Sequence, residues 1–200
     1  MQTKKPEVER AILDAARELF FEHGFEGVSM RAVARAVDMT PGNIYVYFQG
    51  KDDLYFSVFT ETNTRRLERV TAAFQQETTA PAKLRRYAHE YFAWSAEHPR
   101  ELRLELHYMH HGMGEKRLSP NLRQHYAEIL KPYHYAFLAI FEEGLEKGEM
   151  QFEQTPQQVV TWFTYTLRTM LNETLVLCYH DEQFYNGWVE FFIDAITPSS

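Results

Sequence analysis

The chain has 200 residues, 44% of them apolar and 24% charged, which suits one large domain or a small domain beside a medium one and excludes global disorder. It opens "MQTKKPEVER" without a cleavable apolar signal, holds no run of 18 apolar residues, and carries a single cysteine, Cys178. A disulfide-stapled or membrane-spanning protein is therefore not expected, and a cytoplasmic one is. The net charge of −7 argues against a polyanion partner only on average: residues 1–51 hold 7 Lys/Arg and 7 Asp/Glu, so the whole acidic excess falls in residues 52–200.

Nearly every segment has helical spacing and none alternates convincingly as a strand, so the expected fold is all-α. Val8, Ile12, Ala15, Ala16 and Leu19 share one face of a first helix, which "HGF" at His23–Phe25 should end with Gly24 as its C-terminal cap. Ser29 caps a second helix with Met30, Val33 and Val37 inward, and Thr40 with Pro41 opens a third that runs to about Phe48. Only Asp38–Met39 separates these two, which predicts a tight helix-turn-helix with Asp38 in the left-handed region. Lys51 starts a fourth helix reaching about Glu77. Further helices are expected at roughly 81–97, 100–110, 120–147, 156–179 and 183–196, with Pro132 kinking or splitting the long one. Two domains follow from this reading: a small helical head at 1–51 and a larger helical body at 52–200.

The third helix is a poor helix by itself, with two turns, a glycine and β-branched residues. Ile44 and Phe48, four apart, can anchor it, leaving Pro41, Gly42, Asn43, Tyr45, Val46 and Tyr47 on more open faces. Between Met39 and Gly50 no residue is charged. These features fit a DNA major groove. Gly42 lets the backbone come close, Asn43 can pair with an adenine edge, and Val46 and Pro41 can meet thymine methyls. Around them Ser29, Arg31 and Lys51 stand where phosphates would lie. Arg31 opposes the dipole of its own helix, a cost of about 0.3–1 kcal/mol that a bound phosphate would remove.

With these residues the segment "ILDAARELFFEHGFEGVSMRAVARAVDMTPGNIYVYFQGKDDLY", Ile12 to Tyr55, resembles the DNA-binding domain of the TetR (tetracycline-repressor-like) family of bacterial regulators. The resemblance is carried by "A-x-x-L-F-x-x-x-G-F" (Ala16–Phe25), "V-A-R-A" (Val33–Ala36) and "I-Y-x-Y-F-x-x-K-x-x-L" (Ile44–Leu54). It implies a recognition helix over Thr40–Phe48, phosphate contacts by Ser29, Tyr47 and Lys51, and base or backbone contacts by Pro41, Gly42, Asn43, Tyr45 and Val46. It also implies a ligand-responsive homodimer, read as a repressor on a palindromic operator, paired through its last two helices with an effector cavity before them. This chain departs from the pattern at Asp38, where the family usually has Gly, at Ala32, where an acid is frequent, and at Tyr47, where His is common.

The effector is scarcely readable. Tyr91, Trp94, Met109, Phe137, Phe141, Trp162 and Tyr165 are the candidates to line an apolar cavity, with Arg168 and Asn172 as its polar groups; a structural ion pair serves equally well for Arg168. His107 with His110 or His111 has spacing that can chelate, but no cysteine or placed carboxylate completes the set, so no metal is assigned. The alternative reading is a helical small-molecule or metal sensor that acts without repression, or as an activator. No nucleophile–base pair and no Gly-rich phosphate loop points to an enzyme, and no cofactor is expected.

Overall fold

The structure is a computed structural model that describes residues 5–110, 120–177 and 182–198. All the regular elements among them are helices. They are α1 (Pro6–Gly27), α2 (Met30–Ala36), α3 (Pro41–Tyr47), α4 (Lys51–Phe74), α5 (Ala80–Glu97), α6 (Pro99–His110), α7 (Pro120–Glu146), α8 (Pro156–Leu177) and α9 (Glu182–Ile196). The all-α expectation holds. Three local expectations change. α1 does not end at Gly24: that residue breaks the helix with φ 67° and ψ 176°, a region open chiefly to glycine, and a further turn continues to Gly27. α7 runs unsplit through Pro132, so the tertiary setting outweighs the lost hydrogen bond. α4 also stops three residues short of the expected Glu77.

The chain forms two compact units. The first takes the described residues up to Thr64 and those within Pro99–Glu128; the second takes Arg65–His98 and the described residues from Ile129 onward. The first unit thus adds the start of α4, the whole of α6 and the start of α7 to the small head expected at 1–51. Its core holds Ile12, Ala16 and Phe20 of α1, Val33 of α2, Ile44 of α3, Leu54 to Phe56 of α4 and Leu104 of α6. Burying such side chains contributes about 1.5–3 kcal/mol each. Tyr55 meets Phe20 and Phe25 edge-on and donates its hydroxyl to the Leu104 carbonyl at 2.8 Å. Burial raises the pKa of that phenol, so it stays a donor. Arg10 and Arg17 of α1 both reach Glu61 of α4, and Arg17 also bonds Asp14 at 2.8 Å.

In the second unit Tyr87 of α5 packs on Phe137 of α7 at 4.2 Å, and Phe137 lies 5.8 Å from Phe163 of α8. Phe163 in turn meets Trp188 and Phe192 of α9. Arg85 of α5 grips Glu190 of α9 with two donors at 2.8 Å. No helix among the described residues is long and apolar enough to cross a membrane.

Candidate nucleic-acid interface

α2 and α3 are set by their ends. The Ser29 hydroxyl accepts the Ala32 N–H at 3.2 Å, and the Thr40 hydroxyl accepts the Asn43 N–H at 3.4 Å. Each cap typically stabilises by about 1 kcal/mol. Between them the Met39 N–H bonds the Ala34 carbonyl at 2.8 Å and the Asp38 N–H bonds the Arg35 carbonyl at 3.2 Å. That pair of bonds is the Schellman closure of a helix, and it requires a left-handed residue at Asp38. Asp38 occupies it at φ 52°, and among the described residues it is the only non-glycine at positive φ. Met39 then turns back onto the core of the head. Asp38→Val should cost about 1–2 kcal/mol of stability, because a β-branched side chain resists this region, whereas Asp38→Gly should be tolerated. Urea melts of the three proteins give the comparison.

The turn fixes which side of α3 faces out. Ile44 is fully buried and Phe48, the residue after the helix, is 5% exposed. Pro41, Gly42, Asn43 and Tyr45 are exposed, Tyr45 at 53%, while Val46 and Tyr47 are half-buried. Ser29 and Arg31 are exposed beside them at the start of α2. A Cβ added to Gly42 would touch only Thr40 Oγ1, at 4.0 Å. Nothing inside the chain therefore needs glycine there, although it weakens a two-turn helix by about 1 kcal/mol.

Two of the expected phosphate contacts have partners within the head. The Lys51 ammonium donates to the Phe25 carbonyl at 2.8 Å, stands 4.2 Å over the Phe25 ring and lies 3.8 Å from Glu26. The Tyr47 hydroxyl accepts the backbone N–H of Lys5 at 3.3 Å. The sequence reading missed Lys5; its only signal was a Lys pair just before the first helix.

Among the described residues the effector candidates fall in different settings. Phe137 and Phe141 are buried in the ring cluster, and Tyr91 is buried with the Arg66 guanidinium 4.5 Å over its ring. Trp94 is stacked on His98 at 3.7 Å. Trp162, Tyr165 and Arg168 instead lie on the exposed face of α8, because Phe163, Leu167 and Leu171 take its inner face. The side chains of Met109, His110 and Asn172, and all of His111 and Cys178, lie outside the described residues. A cleft of about 340 Å3 between α5 and α9, lined among others by His89, Phe92, Ala93 and Tyr185, includes none of the expected residues. His107 sits 5.3 Å from the Phe25 ring and 5.5 Å from Tyr55. Among the described residues no group of three His, Cys, Asp or Glu side chains is placed to hold a metal.

Residues 12–58 match the model of the bacterial regulatory proteins of the tetR family. The chain is 29% identical over 152 residues to the Fatty acid metabolism regulator protein of Bacillus subtilis strain 168, covering 76% of this chain and 74% of that protein. Its fold is similar to that of the transcriptional regulator FadR from Bacillus subtilis, solved in complex with stearoyl-CoA, with a TM-score of 0.70 and 22% identity over 92% of this chain and 95% of that one. The fatty acid degradation regulator FadR from Bacillus halodurans is similar at a TM-score of 0.69 and 23% identity, over 96% and 95% of the two chains. The matched segment contains the capped α2–turn–α3 unit with its outward face, and residues 12–58 are a DNA-binding domain of the tetR type of bacterial regulatory proteins.

Proposed function

We propose that two copies pair through α8 and α9, place an α3 in each of two successive major grooves of a palindromic operator, and leave it when an acylated small molecule binds. The protein would thus act as a cytoplasmic repressor released by its effector. The observation that carries the DNA reading is α3 itself: a short helix held from one side by Ile44 and Phe48, with uncharged Pro41, Gly42, Asn43 and Tyr45 presented outward. In this reading Asn43 reads an adenine edge, Pro41 and Val46 meet thymine methyls, and Tyr45 reaches a base or backbone edge. Thr40 fixes the start of the helix, and Gly42 admits the DNA backbone. Ser29, Arg31 and Tyr47 hold phosphates. Lys51 joins them with the donors left after its bond to Phe25, since an ammonium has three.

The effector class rests on the similarity to a fatty acid regulator and to a FadR chain that binds stearoyl-CoA, together with the aromatic interior around Tyr87, Phe137, Phe141 and Phe163. A ligand that weakens DNA binding must itself be weakened by DNA to the same extent, typically 5–150-fold. The test is fluorescence anisotropy on an operator selected from random DNA, titrated with stearoyl-CoA and with free CoA. The acyl-CoA should release the DNA and free CoA should not; equal DNA affinity with and without saturating acyl-CoA would refute this effector class. On the same operator Asn43→Ala should lose about 1–3 kcal/mol of discrimination at a single base position, and uniform weakening across sequences would show that Asn43 does not read a base.

A further inference from the structure

We infer that Lys5 is a DNA phosphate contact held in place by Tyr47, so that the operator-binding surface extends beyond the helix-turn-helix to the residue that precedes α1. This inference rests on the proposed DNA reading and adds a residue to it.

Lys5 is the N-cap of α1 and has extended backbone, φ −99° and ψ 122°, with Pro6 following at the first helical position. It is exposed, and its side chain makes no cap bond to the helix. As a cap it is a poor choice. Ser, Thr, Asp and Asn are preferred there, and a cation opposes the positive end of the helix dipole. Glu7 and Glu9 in the first turn already complement that dipole, so the helix gains nothing from Lys5. Placement supplies a reason for it. The Lys5 N–H bonds the Tyr47 hydroxyl, 42 positions away on the C-terminal turn of α3. The base of the Lys5 side chain is thereby fixed beside the helix that would enter the groove, and its flexible four-carbon stem carries the ammonium onward.

The charge around α3 points the same way. From Gly27 to Gly50 the only cations are Arg31 and Arg35, both exposed on α2, and Asp38 offsets one of them. Lys51, the next cation, is engaged by the Phe25 carbonyl and ring. Half to two-thirds of protein–DNA hydrogen bonds go to phosphate and sugar. A reading segment with two cations between Gly27 and Gly50 gains from one anchored at the end of its reading helix.

The experiment uses the full chain, with the selected operator, in a salt series. Each phosphate neutralised contributes about 0.9 to the slope of log affinity against log salt. Lys5→Ala should therefore reduce the slope by about 0.9 per half-site, while Lys5→Arg keeps it. The melting temperature should not move, because Lys5 is exposed. Tyr47→Phe removes the hydroxyl that holds the Lys5 backbone, so adding Lys5→Ala to it should reduce the slope by less than it does alone. A wild-type slope in Lys5→Ala, from a wild type that binds its operator, overturns the phosphate contact alone. Strictly additive slopes overturn the positioning by Tyr47. Failure of the wild type to bind any selected DNA would instead overturn the DNA reading, and this inference with it.

Discussion

Phe191→Asp should convert the protein to a monomer and lower its operator affinity by two orders of magnitude or more. In α9, Tyr185, Val189, Ile193 and Ile196 face inward, and the opposite side carries Phe184, Gly187, Phe191 and Ala195. Phe191 is 72% exposed and Phe184 56%. On α8 the outward residues Trp162 and Tyr165 are 52% and 69% exposed. Four large apolar side chains on the outer faces of two helices that meet through Phe163 suit a protein–protein contact. Gly187 supports a close one. A Cβ there would meet nothing within 4 Å, so internal packing does not require glycine in mid-helix, whereas an approaching partner helix would. In a two-fold pair each substitution acts twice, losing about 1.5–3 kcal/mol of apolar burial per phenylalanine and placing a carboxylate in the contact. Two tethered heads typically gain 10²–10⁴ in avidity over one, and the monomer forfeits that gain. Sedimentation equilibrium and anisotropy on the same sample check both effects. A Phe191→Asp protein that remains dimeric at micromolar concentration would place the subunit contact elsewhere.

The head was legible because its signals are local. Ser29, Thr40 and Pro41 mark helix starts by chemistry that acts over three residues, and Asp38 was the residue in a two-residue turn best able to take positive φ. The body was less legible because large aromatic residues fall on both the inner and the outer sides of its last two helices. On α8 the sequence shows aromatic residues without showing which side each takes: Trp162 and Tyr165 are exposed, whereas Phe137 of α7 is buried. Contacts far apart in sequence were not readable at all. The grip of Lys51 on Phe25 spans 26 positions and that of Tyr47 on Lys5 spans 42. Neither leaves a periodicity. Pro132 is a related case: a proline's local cost is fixed, but whether the helix runs on through it, as α7 does, is not visible in the chain.

Ile44→Ala should abolish operator binding and destabilise the head, whereas Gly42→Ala should weaken binding while stabilising the fold. Ile44 is the only fully buried residue of α3, and the helix around it has seven residues, too few to persist alone. Truncating a buried isoleucine typically costs about 2–5 kcal/mol, part of it from the cavity left behind. That is comparable with the whole stability expected of a small domain, so α3 would detach or the head would unfold, and either outcome removes the reading surface. Gly42 separates position from fold. An alanine there meets only Thr40 Oγ1, at 4.0 Å, and should stabilise the helix by about 0.5–1 kcal/mol. Its methyl projects from the exposed side, into the space that the proposed contact gives to DNA. A loss of tenfold or more in operator affinity, about 1.4 kcal/mol, paired with a higher melting temperature would assign Gly42 to DNA and not to packing. Urea melts and anisotropy on both variants supply the four numbers. If Gly42→Ala bound the operator as well as the wild type, the close approach of DNA to this turn of α3 would be wrong, and the groove-facing surface would have to be sought nearer Tyr45 and Val46.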